Sequence, residues 1–126
     1  MNCKIVPIES FQREAKWLVK KFPSLKSELE TLRNELLQNP HLGTLIHENV
    51  YKIRLAVKSK GRGKSGGMRV ITYVVEVEIQ VEAAENDSET TVFLVSIYDK
   101  SEQANISERE LRDLIDEINA ELGNEE

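Results

Sequence analysis

The sequence YKIRLAVKSKGRGKSGGMRVITY occupies residues 51–73 and contains the two patterns that decide the fold. Its first part alternates, with Tyr51, Ile53, Leu55 and Val57 on one side and Lys52, Arg54 and Lys58 on the other. Such alternation predicts a half-buried strand. A glycine-rich linker at 61–67 then leads into a β-branched run that begins at Met68. The stretch therefore predicts two consecutive strands joined by a glycine-rich connection.

The charge of this stretch is entirely basic. Residues 51–75 contain 7 Lys and Arg and no Asp or Glu, whereas residues 76–126 contain 3 basic and 16 acidic side chains. The whole chain has 17 Lys and Arg against 22 Asp and Glu, a formal net charge of −5. A local cationic surface on an acidic protein indicates a binding site for a polyanion, and nucleic acid is the first candidate. The plainer alternative is a solvated hairpin tip.

The sequence before the basic stretch predicts a strand and two helices. Residues 3–8 are typical of a short strand, and Pro7 favours a position at a sheet edge. Ser10 is the predicted cap of an amphipathic helix that ends near Phe22. Ser24 is the predicted cap of a second helix, which runs to Asn39 and forms a helical hairpin with the first. Residues 40–49 are predicted to be a loop.

The sequence after the basic stretch predicts two long strands and a helix. The β-branched run continues from Met68 to Glu82, and a polar turn is predicted at 84–89. Residues 91–98 (TVFLVSIY) are apolar on both faces, which is typical of a central strand. Ser107 and Glu110 form a capping-box pattern that opens a helix reaching Leu122.

The resulting order is β, α, α, β, β, β, α, which predicts an α+β domain. We expect an antiparallel sheet of about four strands, with the first strand added at an edge. The helical hairpin and the C-terminal helix are expected on one face. Residues 1–126 are predicted to form a single domain, with 124–126 as a frayed tail.

Several classes of protein are disfavoured by the composition. No apolar run reaches the roughly 18 to 20 residues that a membrane span needs, and the N-terminus does not have the apolar core of a secretory signal, so we expect a cytoplasmic protein without a membrane partner. The single cysteine, Cys3, excludes an internal disulfide framework, and no residue spacing suggests a metal site. Gly61, Gly63 and Gly66 match a dinucleotide-binding pattern, but a β-branched run follows them where a helix is required. No cofactor is expected.

A few side chains outside the basic stretch have alternative interpretations. His41 and His47 lie in the predicted loop, where histidines are usually solvated, although one of them is a candidate general base. Trp17 is expected to pack within the helical hairpin. The tyrosines are expected in the core or at its rim, with base stacking as the alternative; they are Tyr51, Tyr73 and Tyr98.

The basic stretch, followed by VFLVSIYDKSEQANIS at 92–107 and a terminal helix, resembles the RelE/ParE toxin superfamily. It is most similar to the HigB-like branch, whose members carry a GKSGG-x-R segment. The resemblance covers nearly the whole chain and implies a bacterial type II toxin that is neutralised by a cognate antitoxin. The implied assembly is either a homo-oligomer of the toxin or a toxin–antitoxin hetero-oligomer. RelE-like members are metal-independent endoribonucleases that cleave mRNA on the ribosome and so inhibit translation. ParE-like members instead inhibit DNA gyrase, and a degenerate member would retain antitoxin binding alone.

The resemblance also implies roles for individual residues. Lys52 and Arg54 match the basic pair that activates the ribose 2′-OH and holds phosphate, Arg69 matches the transition-state arginine, and Lys100 matches a late assisting cation. The implied RNA contacts are Lys58, Lys60, Arg62, Lys64 and Tyr98. The family's tyrosine after the last basic residue has no counterpart here, which leaves Tyr98 as the stacking candidate.

One conflict concerns the position of Arg69. Simple alternation puts Arg69 on the same face as Ile71 and Tyr73, away from the polar face. A bulge near Gly66–Gly67 would move Arg69 to the polar face.

Overall fold

A computed structural model describes residues 2–61, 67–79 and 87–124 of the chain. The elements are β1 (Asn2–Pro7), α1 (Glu9–Lys21), α2 (Leu25–Gln38), β2 (Thr44–His47), β3 (Val50–Leu55), β4 (Met68–Ile79), β5 (Asp87–Asp99) and α3 (Glu108–Asn124). A single 3₁₀ turn, Lys58–Lys60, follows β3. Within the described ranges, no helix combines the length and the apolar character that crossing a membrane requires.

The strands form a five-stranded sheet in the order β1-β5-β4-β3-β2. The predicted α+β class is therefore confirmed, and β1 is at an edge as expected. The sheet is mixed, because β1 runs parallel to β5 while the other neighbouring strands are antiparallel. The predicted sheet of about four antiparallel strands differs from this arrangement by one strand and one orientation. Part of the predicted polar turn at 84–89 belongs to β5, which begins at Asp87.

The additional strand is β2, which lies where a loop was predicted. All its residues are exposed, so its sequence shows no alternation between a buried and an exposed side. Gly43 precedes it with φ of 103°, and a Cβ atom there would lie 2.6 Å from the carbonyl oxygen of Lys52. Glycine therefore allows the chain to approach β3 closely enough to pair with it.

Helices cover both faces of the sheet, so the prediction that they share one face was wrong. Successive residues of a strand point to opposite faces. Along β4, Val70 and Val74 pack into the core formed with α1 and α2, whereas Ile71 packs into a second core with Leu111 and Ile118 of α3. Each face of the central strands is thus buried by a different helical layer. The prediction that β5 is central, based on its two apolar faces, is confirmed.

The C-terminal part of β5 continues past the end of β1. Side chains of α1 form hydrogen bonds with the strand edge that has no neighbouring strand there. The hydroxyl of Ser10 donates a hydrogen bond to the carbonyl oxygen of Val95 at 2.9 Å, instead of capping α1. The carboxylate of Glu14 accepts hydrogen bonds from the Ser96 hydroxyl at 3.2 Å and the Ile97 N–H at 3.3 Å. Burial raises the pKa of Glu14 above its ordinary value, although these hydrogen bonds oppose the shift. Polar groups of this strand edge are satisfied without a neighbouring strand.

The predicted caps of the other helices have mixed outcomes. Ser107 caps α3 as expected, because its hydroxyl accepts the N–H of Glu110 at 3.1 Å. Ser24 precedes α2 as expected, but its hydroxyl bonds to the side chains of Glu28 and Ser59 rather than to the helix backbone.

Candidate nucleic-acid interface

Lys52, Arg54 and Arg69 lie on one face of the sheet, which we call the cationic face. In the β3–β4 pairing, Arg54 is directly opposite Arg69 and Lys52 is directly opposite Ile71. Directly opposed residues of antiparallel strands project to the same face. The pairing is regular throughout, so no bulge is needed to bring Arg69 to this face. Alternation placed Arg69 on the same face as the apolar Ile71, which conflicted with a cationic role. The structure removes this conflict, because one end of the face is cationic and the other end is apolar and covered by α3.

Gly67 fixes the start of β4, two residues before Arg69. A Cβ atom at this position would lie 2.1 Å from the carbonyl oxygen of Leu55, so only glycine lets the two strands approach here. The carbonyl oxygen of Gly67 also accepts the N–H of Lys100 at 3.1 Å. Gly67 therefore contacts both the end of β3 and the turn after β5. These contacts fix the backbone position of Arg69.

The three cations differ in their access to solvent. Arg54 is exposed and Lys52 is half-buried. Arg69 is only 4% exposed, and its Nη1 donates to the carbonyl oxygen of Met68 at 3.2 Å. Arg54 and Lys52 can therefore contact a ligand directly, whereas Arg69 adds positive charge from below the surface.

A groove of about 570 Å³ lies between α2 and β3, on the side of the sheet that α2 covers, and a further predicted residue, Lys58, lines it. Lys52, Arg54 and Lys58 line it, with Glu28 on the helical wall. The carboxylate of Glu28 accepts the backbone N–H of Lys58 at 2.8 Å. Glu28 thereby anchors the 3₁₀ turn to α2, and the exposed side chain of Lys58 is held at the rim of the groove.

Lys60 has a role in the structure that differs from the predicted RNA contact. Its ammonium lies 2.5 Å from Oδ1 of Asp99 and 3.2 Å from the hydroxyl of Ser101. The side chains of Lys60 and Asp99 are 6% and 4% exposed. Burial alone would raise the pKa of Asp99, but hydrogen bonds from Lys60 and Ser101 hold it below its ordinary value. The ammonium of Lys60 thus forms a buried ion pair and does not face a ligand.

Tyr98 is also buried, although the sequence made it the candidate for base stacking. It lies directly opposite Arg69 on the β4–β5 ladder. Burial raises the pKa of Tyr98, an effect partly offset by the backbone of Ile106 and the charge of Arg69. Its hydroxyl completes no hydrogen bond of good geometry with the described residues. A buried ring of this kind is not available to stack on a base in this conformation.

Of the remaining predicted cations, Lys100 lies within the described residues. The Lys100 ammonium donates to the carbonyl oxygen of Ala104 at 3.3 Å and so closes the turn after β5. Arg62 and Lys64 lie outside the described residues.

The two histidines occupy different environments. Nδ1 of His41 is 2.9 Å from the hydroxyl of Tyr51, and Nε2 contacts the carboxylate of Glu76. His41 thus joins the loop after α2 to β3 and β4. His47 lies on β2, where its ring accepts the N–H of Glu48 at 2.8 Å. In the part of the chain that the structure describes, no group of three or more His, Cys, Asp or Glu side chains could hold a metal ion.

Trp17 is exposed, and the prediction that it packs within the helical hairpin was wrong. Its side chain is 57% exposed on the outer side of α1. The stripe of α1 that faces the sheet contains Phe11 and Leu18, and Trp17 falls outside that stripe. The ammonium of Lys21 lies 5.3 Å from the indole centroid. An exposed indole beside a cation was the feature that sequence reasoning missed.

No protein-family model matches the chain. No solved structure matches it at a significant level.

Proposed function

We propose that the chain is the toxin of a bacterial type II toxin–antitoxin module and acts as a RelE-like, HigB-like endoribonuclease on ribosome-bound mRNA. The observation that carries the proposal is the shared sheet face of Lys52, Arg54 and Arg69, fixed by the pairing of Arg54 with Arg69. The sequence motifs quoted above agree with this choice. A cognate antitoxin would neutralise the protein by covering the surface between Lys52 and Arg69 or by displacing α3.

In the proposed RNA cleavage, the cationic face stabilises the negative charge of the transition state. The ribose 2′-oxygen attacks the adjacent phosphorus, the bond from phosphorus to the 5′-oxygen breaks, and the 2′ proton passes to the surroundings while the 5′-oxygen gains one. The transition state carries extra negative charge on the phosphoryl oxygens. Positively charged groups held in advance at that position lower the barrier. Lys52 and Arg54 are accessible to the phosphate, and Arg69 contributes its field at short range.

The test is a translation extract programmed with a defined message, to which the purified protein is added and in which RNA 5′ ends are mapped. New ends that appear only on translated message support the nuclease. A message with a 2′-deoxy nucleotide at the mapped position should resist cleavage, because the nucleophile is missing. Arg54→Ala should reduce cleavage by roughly 10²-fold or more, the usual effect of removing one transition-state donor. Lys4→Ala is the matched control, since Lys4 is exposed at the opposite edge of the sheet.

A second candidate function is binding without cleavage, either as a ParE-like gyrase inhibitor or as a member that retains only antitoxin binding. The burial of Arg69 and Tyr98 favours it, because neither side chain reaches a ligand in this conformation. An intact message in a translating extract would reject the nuclease. A supercoiling assay with purified gyrase then separates the two remaining alternatives.

A further inference from the structure

A cleft of about 350 Å³ lies beside the exposed indole of Trp17, at the edge of β5 beyond the end of β1. It is lined by Arg13, Glu14, Trp17, Tyr98, Glu102 and Gln103, among others. We propose that this cleft binds an unpaired nucleobase of single-stranded RNA, stacked on Trp17, with the neighbouring phosphates on the cations of α1. The inference deepens the proposed function, on which it rests for the choice of RNA.

The first argument is the character of the aromatic surface. Indole rings that remain mostly exposed on a helix are suited to stacking, because every base has a π face. Stacking on an aromatic side chain tolerates any of the four bases. Trp17 is 57% exposed and is held at the rim of the cleft by α1. The indole is therefore presented to solvent by a regular element.

The second argument is the charge around the indole. On a helix, side chains three and four positions away are neighbours. Arg13, Lys20 and Lys21 occupy those positions relative to Trp17, and all three are exposed. The ammonium of Lys21 lies 5.3 Å from the indole centroid and 2.9 Å from the carboxylate of Glu102. Cations around a stacking aromatic residue provide the phosphate contacts that single-stranded nucleic acid requires.

The acidic side chains of the cleft have partners within the protein. The carboxylate of Glu102 is paired with Lys21, and that of Asp99 is buried against Lys60. The carboxylate of Glu14 accepts hydrogen bonds from Ser96 and Ile97. Because Ser96 and Ile97 are neutral donors and the charge of Arg13 acts on Glu14, the further positive charge at the outer rim comes from Lys20.

The third argument is continuity with the cationic face. Tyr98 lines the cleft and lies directly opposite Arg69 on the neighbouring strand. Both residues are buried and do not themselves form a surface path, but their pairing puts the cleft and the cationic face on adjacent strands, so we expect one RNA strand to contact both. This second contact also explains how an acidic protein could retain RNA through two local positive surfaces.

The experiment uses the full-length protein and a short single-stranded oligoribonucleotide. Trp17 is the only tryptophan, so its fluorescence reports on this cleft alone. Stacking should quench the indole emission as RNA binds, and labelled RNA followed by anisotropy gives the affinity. Trp17→Ala should weaken binding roughly 5- to 100-fold, whereas Trp17→Phe should retain most of it. An oligonucleotide with abasic positions should bind the wild type and Trp17→Ala equally well.

The outcomes separate this site from the proposed nuclease. Quenching and a loss of affinity in Trp17→Ala, without cleavage in a translating extract, would support the site and reject the nuclease. Cleavage by a protein whose indole does not respond to RNA would reject the site and retain the nuclease. Equal RNA affinity of Trp17→Ala and the wild type would also overturn the inference. Because Trp17 is exposed, far-ultraviolet circular dichroism should show an unchanged fold in each variant.

Discussion

Arg54 and Arg69 are opposed across the β3–β4 ladder, so that two like charges share one cross-strand position. Like charges in this arrangement reduce the stability of a sheet. A bound polyanion would offset this repulsion, because its negative charge attracts both guanidinium groups. The pairing therefore concentrates positive charge at the place where we propose that phosphate binds.

The first prediction follows from this repulsion. Arg54→Gln should leave the unliganded protein as stable as the wild type or raise its free energy of unfolding by about 0.2–1 kcal/mol. Inorganic polyphosphate should raise the melting temperature of the wild type, because a ligand that binds only the native state stabilises it. The rise should be smaller in Arg54→Gln. Thermal unfolding followed by circular dichroism, at low and high salt, measures both effects. An equal polyphosphate response in the two proteins would place the polyanion site elsewhere.

The second prediction concerns the buried pair of Lys60 and Asp99. Removing one partner leaves the other charge buried without its counter-charge, which costs roughly 3–5 kcal/mol. Lys60→Met and Asp99→Leu should each cause a loss of this size in urea unfolding. The double variant should recover most of it, since well-packed apolar residues can replace a buried ion pair.

The control for this pair is the surface pair of Lys4 and Glu89, which lies at 3.9 Å with both side chains well exposed. Lys4→Met should change the free energy of unfolding by less than about 1 kcal/mol. If Lys60→Met were as mild as Lys4→Met, the ammonium of Lys60 would have to be solvated in solution.

The third prediction is an acid-dependent loss of stability. The pKa of Asp99 is lowered in the folded protein, so its carboxylate contributes stability above its unfolded pKa of about 3.9. That contribution should disappear as the pH falls below about 4 towards the folded pKa. Asp99→Asn should have a flatter dependence of unfolding free energy on pH across that window. Urea titrations at a series of acidic pH values test this, and parallel curves for the two proteins would contradict it.

The fourth prediction compares two glycines. Gly67→Ala would put a Cβ atom 2.1 Å from the carbonyl oxygen of Leu55. Strands β3 and β4 must separate there, at an expected cost of about 1–3 kcal/mol. The same change at Gly123 meets no atom within 4 Å and lies in α3, where alanine is favoured over glycine by up to about 1 kcal/mol. Unfolding in urea should therefore shift in opposite directions for the two variants.

The elements of the fold were largely predictable because their patterns are local. Alternation gave β3 and helical spacing gave α1, α2 and α3. The segment at 91–98 is apolar on both faces, which also indicates that helices cover both sides of the sheet. We nevertheless predicted helices on one face only. Strand β2 was missed because all its residues are exposed and its pairing depends on Gly43.

The candidate site was predictable only in part. The cationic side chains of β3 followed from the sequence, but the face of Arg69 depends on strand register, which a single sequence does not specify. The burial of Lys60 depends on Asp99, which lies far along the chain. Trp17 carried a local signal, since it falls outside the apolar stripe of α1 while cations occupy the positions three and four residues away.

The pairing of β1 with β5 has a consequence for the timing of folding. Asn2 is paired with Glu89, and Pro7 with Leu94. Contacts between residues so distant in sequence form late, because a long loop must close first. During synthesis at about 5–20 residues per second, β1 leaves the ribosome several seconds before its partner exists. A nascent chain of this protein therefore remains without a complete sheet until β5 has been made.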